Sequence, residues 1–242
     1  MKPGYIYPTR NNKCLQLVTH VHLYLWHYYP DYNQWLFNYM LAPHIKFYLV
    51  IDELNARRVS FMFNVVKYQP IAYLKICNLT LSGLYLNGLT QGADRVCFKN
   101  VVFCLIAREV VKCRSRFIVM KGCSNLQHLD HTKMYEAESV QMSNCEVLRE
   151  QLRIFGDKLR VLAIKRTMSV DGLVAKWLSF DSPFKNLVEL DLSYNQIEFQ
   201  ALVYLLHSGA VFAETLKKLV LERNLIINSL VSVISRLQLP VI

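Results

Sequence analysis

Near its C-terminal end the 242-residue chain carries Leu187-Val188-Glu189-Leu190-Asp191-Leu192-Ser193-Tyr194-Asn195-Gln196-Ile197. The segment fits L-x-x-L-x-L-x-x-N-x-[LI] at every fixed position. Leu216-Lys217-Lys218-Leu219-Val220-Leu221-Glu222-Arg223-Asn224-Leu225-Ile226 fits it again, 29 residues later. Two full copies constrain the fold more than any other feature, because a fixed period means stacked units rather than one irregular core. Earlier copies are weaker. Leu159, Leu162 and Ile164 lie 28 residues before the first full copy, with Thr167 at the Asn position. Leu126 and Leu129 lie 33 further back, with His131 in the third apolar slot. Phe98, Val101, Phe103 and Ile106 stand 28 before those, and Ile71, Leu74, Ile76 and Leu79 another 27. The spacing predicts strands near 74–76, 101–103, 129–131, 162–164, 190–192 and 219–221.

In each copy the alternating apolar residues make a short strand with one face turned into a core. The Asn side chain can bond backbone groups where the chain leaves the strand. The return segments read as helix. Residues 199–206 place Leu202, Leu205 and Leu206 on one face. Asp171 can cap a helix over 172–178, and Asn228 one over 229–237. Residues 136–155, with Val147, Leu148, Leu152 and Phe155 inside, read as an elongated outer helix. Long repeats with helical returns resemble the ribonuclease-inhibitor-like leucine-rich repeats, over residues 68–240. That resemblance implies an α/β leucine-rich-repeat solenoid of about six repeats across 66–242, with parallel strands on the concave face and helices on the convex face.

Residues 1–65 do not follow the repeat. Residues 15–28 and 31–41 read as two helices separated at Pro30, the second showing Trp35, Leu36, Tyr39 and Met40 on one face. Such a helical N-terminal pair can cap the open end of a solenoid. A second reading stands beside the cap. Cys14-Leu15-Gln16-Leu17-Val18-Thr19-His20-Val21-His22-Leu23 is similar to an elongin-binding box. Cys14, Leu15 and Leu23 match its small, leucine and aliphatic positions, and Thr19 stands where Cys is expected. A helical box, a second helix after a proline, then leucine-rich repeats is the order of the Zyg family of cullin-RING ubiquitin-ligase substrate receptors. The resemblance implies Leu15, Thr19 and Leu23 as adaptor-binding residues and elongin C and a cullin as partners. Pro30-Asp31 followed by Trp35-Leu36-Phe37 resembles an F-box opening, a third possibility.

No G-x-x-x-x-G-K-[ST], G-x-G-x-x-G or C-x-x-C run occurs, so no nucleotide cradle is signalled. His20, His22 and His27 lack a closed ligand set for a metal. Cys113 and Cys123 have no evident base beside them. Glu136, Glu138 and Glu146 read as a solvated return surface. Neither an enzyme, a metal nor a small-molecule cofactor is expected. The seven cysteines all fall within the first 145 residues, beside apolar neighbours. An odd number of such thiols reads as reduced, and hence cytoplasmic or nuclear. The Asn78-Leu79-Thr80 sequon would matter only in a secreted chain. No apolar run is long enough to span a membrane, and residues 15–26 are interrupted by His20 and His22. The net charge of +10 is scattered, and the 14 tyrosines read as packing and interface residues rather than as a base-stacking platform. Nucleic acid is therefore not an expected partner.

What remains is binding of another protein, either as a ligase substrate receptor or as a scaffold or inhibitor with no ligase link. The positions beside the apolar slots of a concave sheet point toward a partner. They are Ala163, Lys165 and Arg166; Asp191, Ser193 and Tyr194; and Val220, Glu222 and Arg223, with Asp130, Thr132 and Lys133 extending the row. Lys165, Arg166, Asp191, Ser193, Tyr194, Glu222 and Arg223 are the candidate partner-binding residues. Tyr194, Arg166 and Arg223 are the expected anchors, since aromatic and Arg side chains dominate interface energetics. The row is mixed in sign, unlike a phosphate-binding strip.

Overall fold

A computed structural model of the chain describes residues 20–25, 46–52, 71–82, 93–104, 113–129, 136–146, 152, 155–167, 184–198, 201–203, 212 and 214–225. The described strands are β1 His20–Leu25, β2 Lys46–Asp52, β3 Ile71–Cys77, β4 Thr80–Ser82, β5 Ala93–Lys99, β6 Val102–Cys104, β7 Phe117–Lys121, β8 Ser139–Ser143, β9 Val161–Lys165, β10 Glu189–Asp191 and β11 Lys218–Val220. Nine of them form one sheet in the order β1-β2-β3-β5-β7-β8-β9-β10-β11, and β4 pairs with β6 in a second. Every pairing is parallel. The protein is thus α/β with a parallel main sheet. Helix among the described residues is short: 201–203, where the Leu202 N–H donates to the Glu198 carbonyl at 3.2 Å, residue 152, a 3-10 turn at Leu126–His128 and 3-10 geometry at residue 136.

One line of register partners threads the main sheet. It runs Leu23, Leu49, Leu74, Val96, Ile118, Val140, Leu162, Leu190, Leu219. From Leu74 onward each of these is at most 1% exposed. Two residues further on, Ile76, Phe98, Met120, Met142, Ile164, Leu192 and Leu221 are buried beside them. The L-x-x-L-x-L frame therefore occurs in seven strands. It survives as A-x-x-V-x-F at Ala93, as S-x-x-I-x-M at Ser115 and as A-x-x-V-x-M at Ala137. Side chains of differing shape fill the same slot because core packing tolerates hydrophobic exchange when the volume is kept.

The steps differ from those the sequence suggested. From Leu74 to Leu162 the chain advances by four units of 22 residues, the separation seen in the Asn78–Asn100 and Cys123–Cys145 contacts. Units of 28 and 29 residues occur only after Leu162. Expected strands at 101–103 and 129–131 are accordingly displaced. Val102–Cys104 is a strand, but it pairs with β4 outside the main sheet. Leu126 and Leu129 are buried on the return path at the 3-10 turn, and no main-sheet strand passes through them. Strand β8 occupies part of 136–155, where a helix was expected. The error has a physical source. Val101, Phe103, Leu126 and Leu129 are core residues of the returns, and they imitate slot residues in spacing and character.

At the N-terminal end, residues 20–25 are a strand and not part of a helix over 15–28. Val21, Leu23 and Leu25 alternate with His20, His22 and Tyr24, the period of an extended chain. β1 and β2 join the sheet ahead of β3, so the sheet crosses the boundary expected at 65/66. The expected helices at 31–41, 172–178 and 229–237 lie outside the described residues, and no helical N-terminal cap is seen among those described.

Candidate binding face

The side of the sheet away from the core shows three columns of residues in register. One lies before the buried line: Tyr48, Tyr73, Arg95, Phe117, Ser139, Val161, Glu189 and Lys218. One follows it: Lys75, Cys97, Val119, Gln141, Ala163, Asp191 and Val220. The third, at the strand ends, contains Cys77, Lys99, Lys121, Ser143 and Lys165. Where the columns meet across β7 to β10 lies a hollow of about 270 Å³. Val119, Lys121, Gln141, Ser143, Val161, Ala163, Lys165, Glu189 and Asp191 line it, with Met142 at its floor.

Directly beyond the third column every unit from β3 on turns through the left-handed region. Asn78, Asn100, Gly122, Asn144, Arg166, Tyr194 and Arg223 have φ between 51° and 61°. Asn and Gly visit this region readily, whereas a bulky side chain there is held by its surroundings. The next residue enters the core and closes the turn. Asn195 donates from Nδ2 to the carbonyls of Ile164 (2.6 Å) and Leu192 (2.8 Å), and its Oδ1 accepts the Thr167 N–H at 2.9 Å. Asn224 repeats the pattern one unit later, with the Leu192 and Leu221 carbonyls and the Ile197 N–H. This is the backbone role expected of the Asn position. After β7 and β8 cysteines take that place, and after β3 and β5 it is held by Leu79 and Val101. The Cys123 N–H donates to Cys145 Sγ at 3.4 Å, and Cys145 Sγ donates to the Ser143 carbonyl at 3.3 Å.

The candidate residues fall into three groups. Lys165 and Asp191 stand on the face, ion-paired at 2.5 Å across β9 and β10, and both line the hollow. Burial pushes the Asp191 carboxyl up, but the Lys165 ammonium together with the Ser193 hydroxyl and N–H outweigh it, leaving a net lowered pKa. Arg166, Tyr194 and Arg223 sit at the left-handed turns along the sheet edge. The guanidinium carbons of Arg166 and Arg223 lie 5.0 and 5.3 Å from the Tyr194 ring centroid. Glu222 joins them through an exposed pair with Arg223 at 3.4 Å. Ser193 does not face a partner. It is 1% exposed and donates its hydroxyl to Asp191 Oδ1 at 2.7 Å, a turn contact that a Ser two residues after an Asp makes readily. Ala163 is also nearly covered, at 6%. Of the adaptor residues, Leu23 lies on strand β1 opposite Leu49. Leu15, Thr19, Asp130, Thr132 and Lys133 fall outside the described residues.

Residues of the face that the sequence reading missed are Arg95, Lys99, Phe117, Lys121, Gln141 and Ser143. They became visible only with the 22-residue step, which the Asn78, Asn100 and Asn144 turns announce. The guanidinium carbons of Arg95 and Arg116 lie 5.0 and 5.3 Å from the Phe117 ring centroid. Burial first, then neighbouring Cys97, pushes the Tyr73 phenol up to about 12, so it is a hydroxyl donor at neutral pH. Arg116 is shared between Asp94 (3.7 Å) and Glu138 (3.0 Å) beside the face.

Among the described residues no group of three or more His, Cys, Asp or Glu could hold a metal ion. Cys77, Cys97, Cys104, Cys113, Cys123 and Cys145 are free thiols. No described helix is long and apolar enough to cross a membrane. Compared with known protein families and with curated proteins, the chain gives no match.

Proposed function

We infer that the chain is a non-enzymatic, protein-binding solenoid that holds its partner against the concave side of the main sheet. The observation that carries the reading is the face across β5 to β10, where polar, charged and aromatic columns align in register around a hollow of about 270 Å³. Short parallel strands stacked by one-directional returns present such a surface to a macromolecule. The reading that goes forward is the scaffold or inhibitor. An elongin-type box needs a helix through Leu23, and Leu23 pairs as a strand residue. The free thiols are the state a reducing compartment would leave them in.

The test is site-specific photo-cross-linking in cells. A benzoylphenylalanine at Gln141, on the face, is compared with one at Gln127, exposed on the return path. Gln141 should give a discrete protein adduct that Gln127 does not give. Equal labelling from both positions would sink the reading. Co-purification of elongin C with a cullin, abolished by Leu15→Ala without loss of folding, would instead reinstate the ligase-receptor reading.

A further inference from the structure

We propose that the half of the face formed by β3, β5, β7 and β8 binds an acidic peptide segment of the partner protein, with one carboxylate side chain seated in the hollow beside Lys121. The inference rests on the protein-binding reading above and gives the partner its chemistry.

The argument is one of charge complementarity. Lys75, Arg95, Lys99 and Lys121 stand on three neighbouring strands of the face. Adjacent parallel strands are about 4.8 Å apart, so Lys99 and Lys121, direct register partners, hold two ammonium groups within reach of one short acidic segment. Among the described residues none of these four cations has an ion-pair partner. The cations further along the sheet do: Lys165 with Asp191, Lys218 with Glu189 and Arg223 with Glu222. A row of uncompensated like charges on a folded surface steers and holds a partner of opposite sign.

The hollow gives the charge a seat. Lys121 and Lys165 border it, with Ser143 on the strand between them, and Gln141 adds an amide. A carboxylate entering beside Lys121 meets an ammonium, a hydroxyl and an amide N–H, all of them donors to its oxygens. Val119, Val161 and Ala163 supply apolar wall for the side-chain stem. The volume is small for a drug-sized ligand and suits one side chain.

Peptide is favoured over nucleic acid for two reasons. The Phe117 ring is already approached by two guanidinium groups, so it offers no open platform for base stacking. The far wall of the hollow carries Glu189 and Asp191. A polyphosphate backbone with a charge at every nucleotide is repelled there, whereas a peptide can place a neutral residue at that point.

The experiment titrates the full chain into a short fluorescein-labelled oligo-glutamate peptide and reads anisotropy. Binding should be seen and should weaken as salt is raised. Lys99→Glu with Lys121→Glu should weaken it by at least about tenfold, and Lys99→Arg with Lys121→Arg should keep it within about threefold. Lys185→Glu, an exposed control away from the face, should stay within about twofold. If the charge-reversed protein fails to show a native circular dichroism spectrum, Lys99→Gln with Lys121→Gln takes its place. Unchanged binding in the neutralised protein, or equal loss in the Lys185→Glu control, overturns the proposal. So does a single-stranded oligonucleotide of equal charge that binds as tightly and loses affinity with the same substitutions. A discrete Gln141 cross-link without oligo-glutamate binding removes this inference and leaves the protein-binding reading standing.

Discussion

The units between Leu74 and Leu162 and those after Leu162 build the same inner wall by different means. The shorter units fill most of their slots with Val, Ile, Met and Phe, follow the left-handed residue with Leu79, Val101, Cys123 and Cys145, and place Asn or Gly in the left-handed position. The longer units use Leu in their slots except at Ile164, close with Thr167, Asn195 and Asn224, and carry Arg, Tyr and Arg at the left-handed turns. Phe155, Phe184 and Phe212 are buried just ahead of β9, β10 and β11, the first of them at the end of the last 22-residue unit. On the solvent side the contrast reverses. The longer units pair Lys165, Lys218 and Arg223 with acidic neighbours; the shorter ones pair Arg116 and Lys158, while Lys75, Arg95, Lys99 and Lys121 have no ion-pair partner among the described residues.

The largest expected effect tests where the stability lies. Phe184→Ala should destabilise by about 3–5 kcal/mol, the cost of emptying a fully buried aromatic site. Chemical denaturation measures it, and a loss below about 1 kcal/mol would mean that the phenylalanine column is not a packing column. Next comes the turn closure. Asn195 is 5% exposed and serves two backbone carbonyls and one N–H. Asn195→Ala should cost about 2–4 kcal/mol, because those groups stay buried without partners. Cys145→Ala should cost about 1 kcal/mol, since a thiol is a weak donor and acceptor. Equal losses at the two positions would erase the distinction between the two kinds of unit.

How far this was legible follows the same division. The two units with Leu at each slot and Asn at the turn were readable from residues alone; β9 covers the expected 162–164, and β10 and β11 lie one residue ahead of the expected 190–192 and 219–221. The shorter units hid because their slot residues are ordinary apolar ones. Buried return residues such as Phe103 and Leu129 also completed a false step near 28. Three Asn and one Gly at a 22-residue interval carried the correct period, but a turn residue signals backbone conformation, which a search for leucines overlooks. At β1 the alternation of His20, His22 and Tyr24 with apolar residues is the strand signal, in a segment whose Leu15 and Leu23 also match the spacing of a helical box. Of the candidate residues, Lys165 and Asp191 stand on the outer face of the sheet, and the Lys99–Lys121 pair emerges only with the 22-residue register.

Gly122 sharpens the comparison on the turn column. A Cβ there would lie 2.7 Å from Asn100 Oδ1, and Asn100 Nδ2 donates to Asn78 Oδ1 at 3.0 Å. Gly122→Ala should cost about 1–2 kcal/mol through the left-handed backbone and the displaced amide. Gly122→Asn should cost less, since Asn is the residue the neighbouring turns use. A smaller effect is pH-dependent. The Asp191 pKa is lowered in the folded chain, so its contribution to stability is present above the unfolded value, about 3.9, and lost as pH falls through the folded value. Asp191→Asn should therefore be less stable than the parent at pH 7, with the gap closing in acid. A gap independent of pH would show that Asp191 acts through shape alone.

The smallest effect concerns the Arg166–Tyr194–Arg223 stack. Each guanidinium over the ring contributes about 0.5–1 kcal/mol at an exposed site. Against that, each bulky residue in the left-handed region costs about 1 kcal/mol relative to Asn or Gly. Arg223 makes one such contact, and its exposed pair with Glu222 adds almost nothing. Arg223→Asn should then be neutral or stabilising by up to about 0.5 kcal/mol. Tyr194→Asn, which loses both contacts, should fall between neutral and about 1 kcal/mol destabilising. A double-mutant cycle between Arg166 and Tyr194 reads the contact itself, and a coupling near zero would mean that the stack is geometric only. If Arg223→Asn leaves stability intact yet removes a cross-linked partner from the Gln141 site, the strained edge belongs to recognition as well. The division between the two kinds of unit would then hold for the core alone.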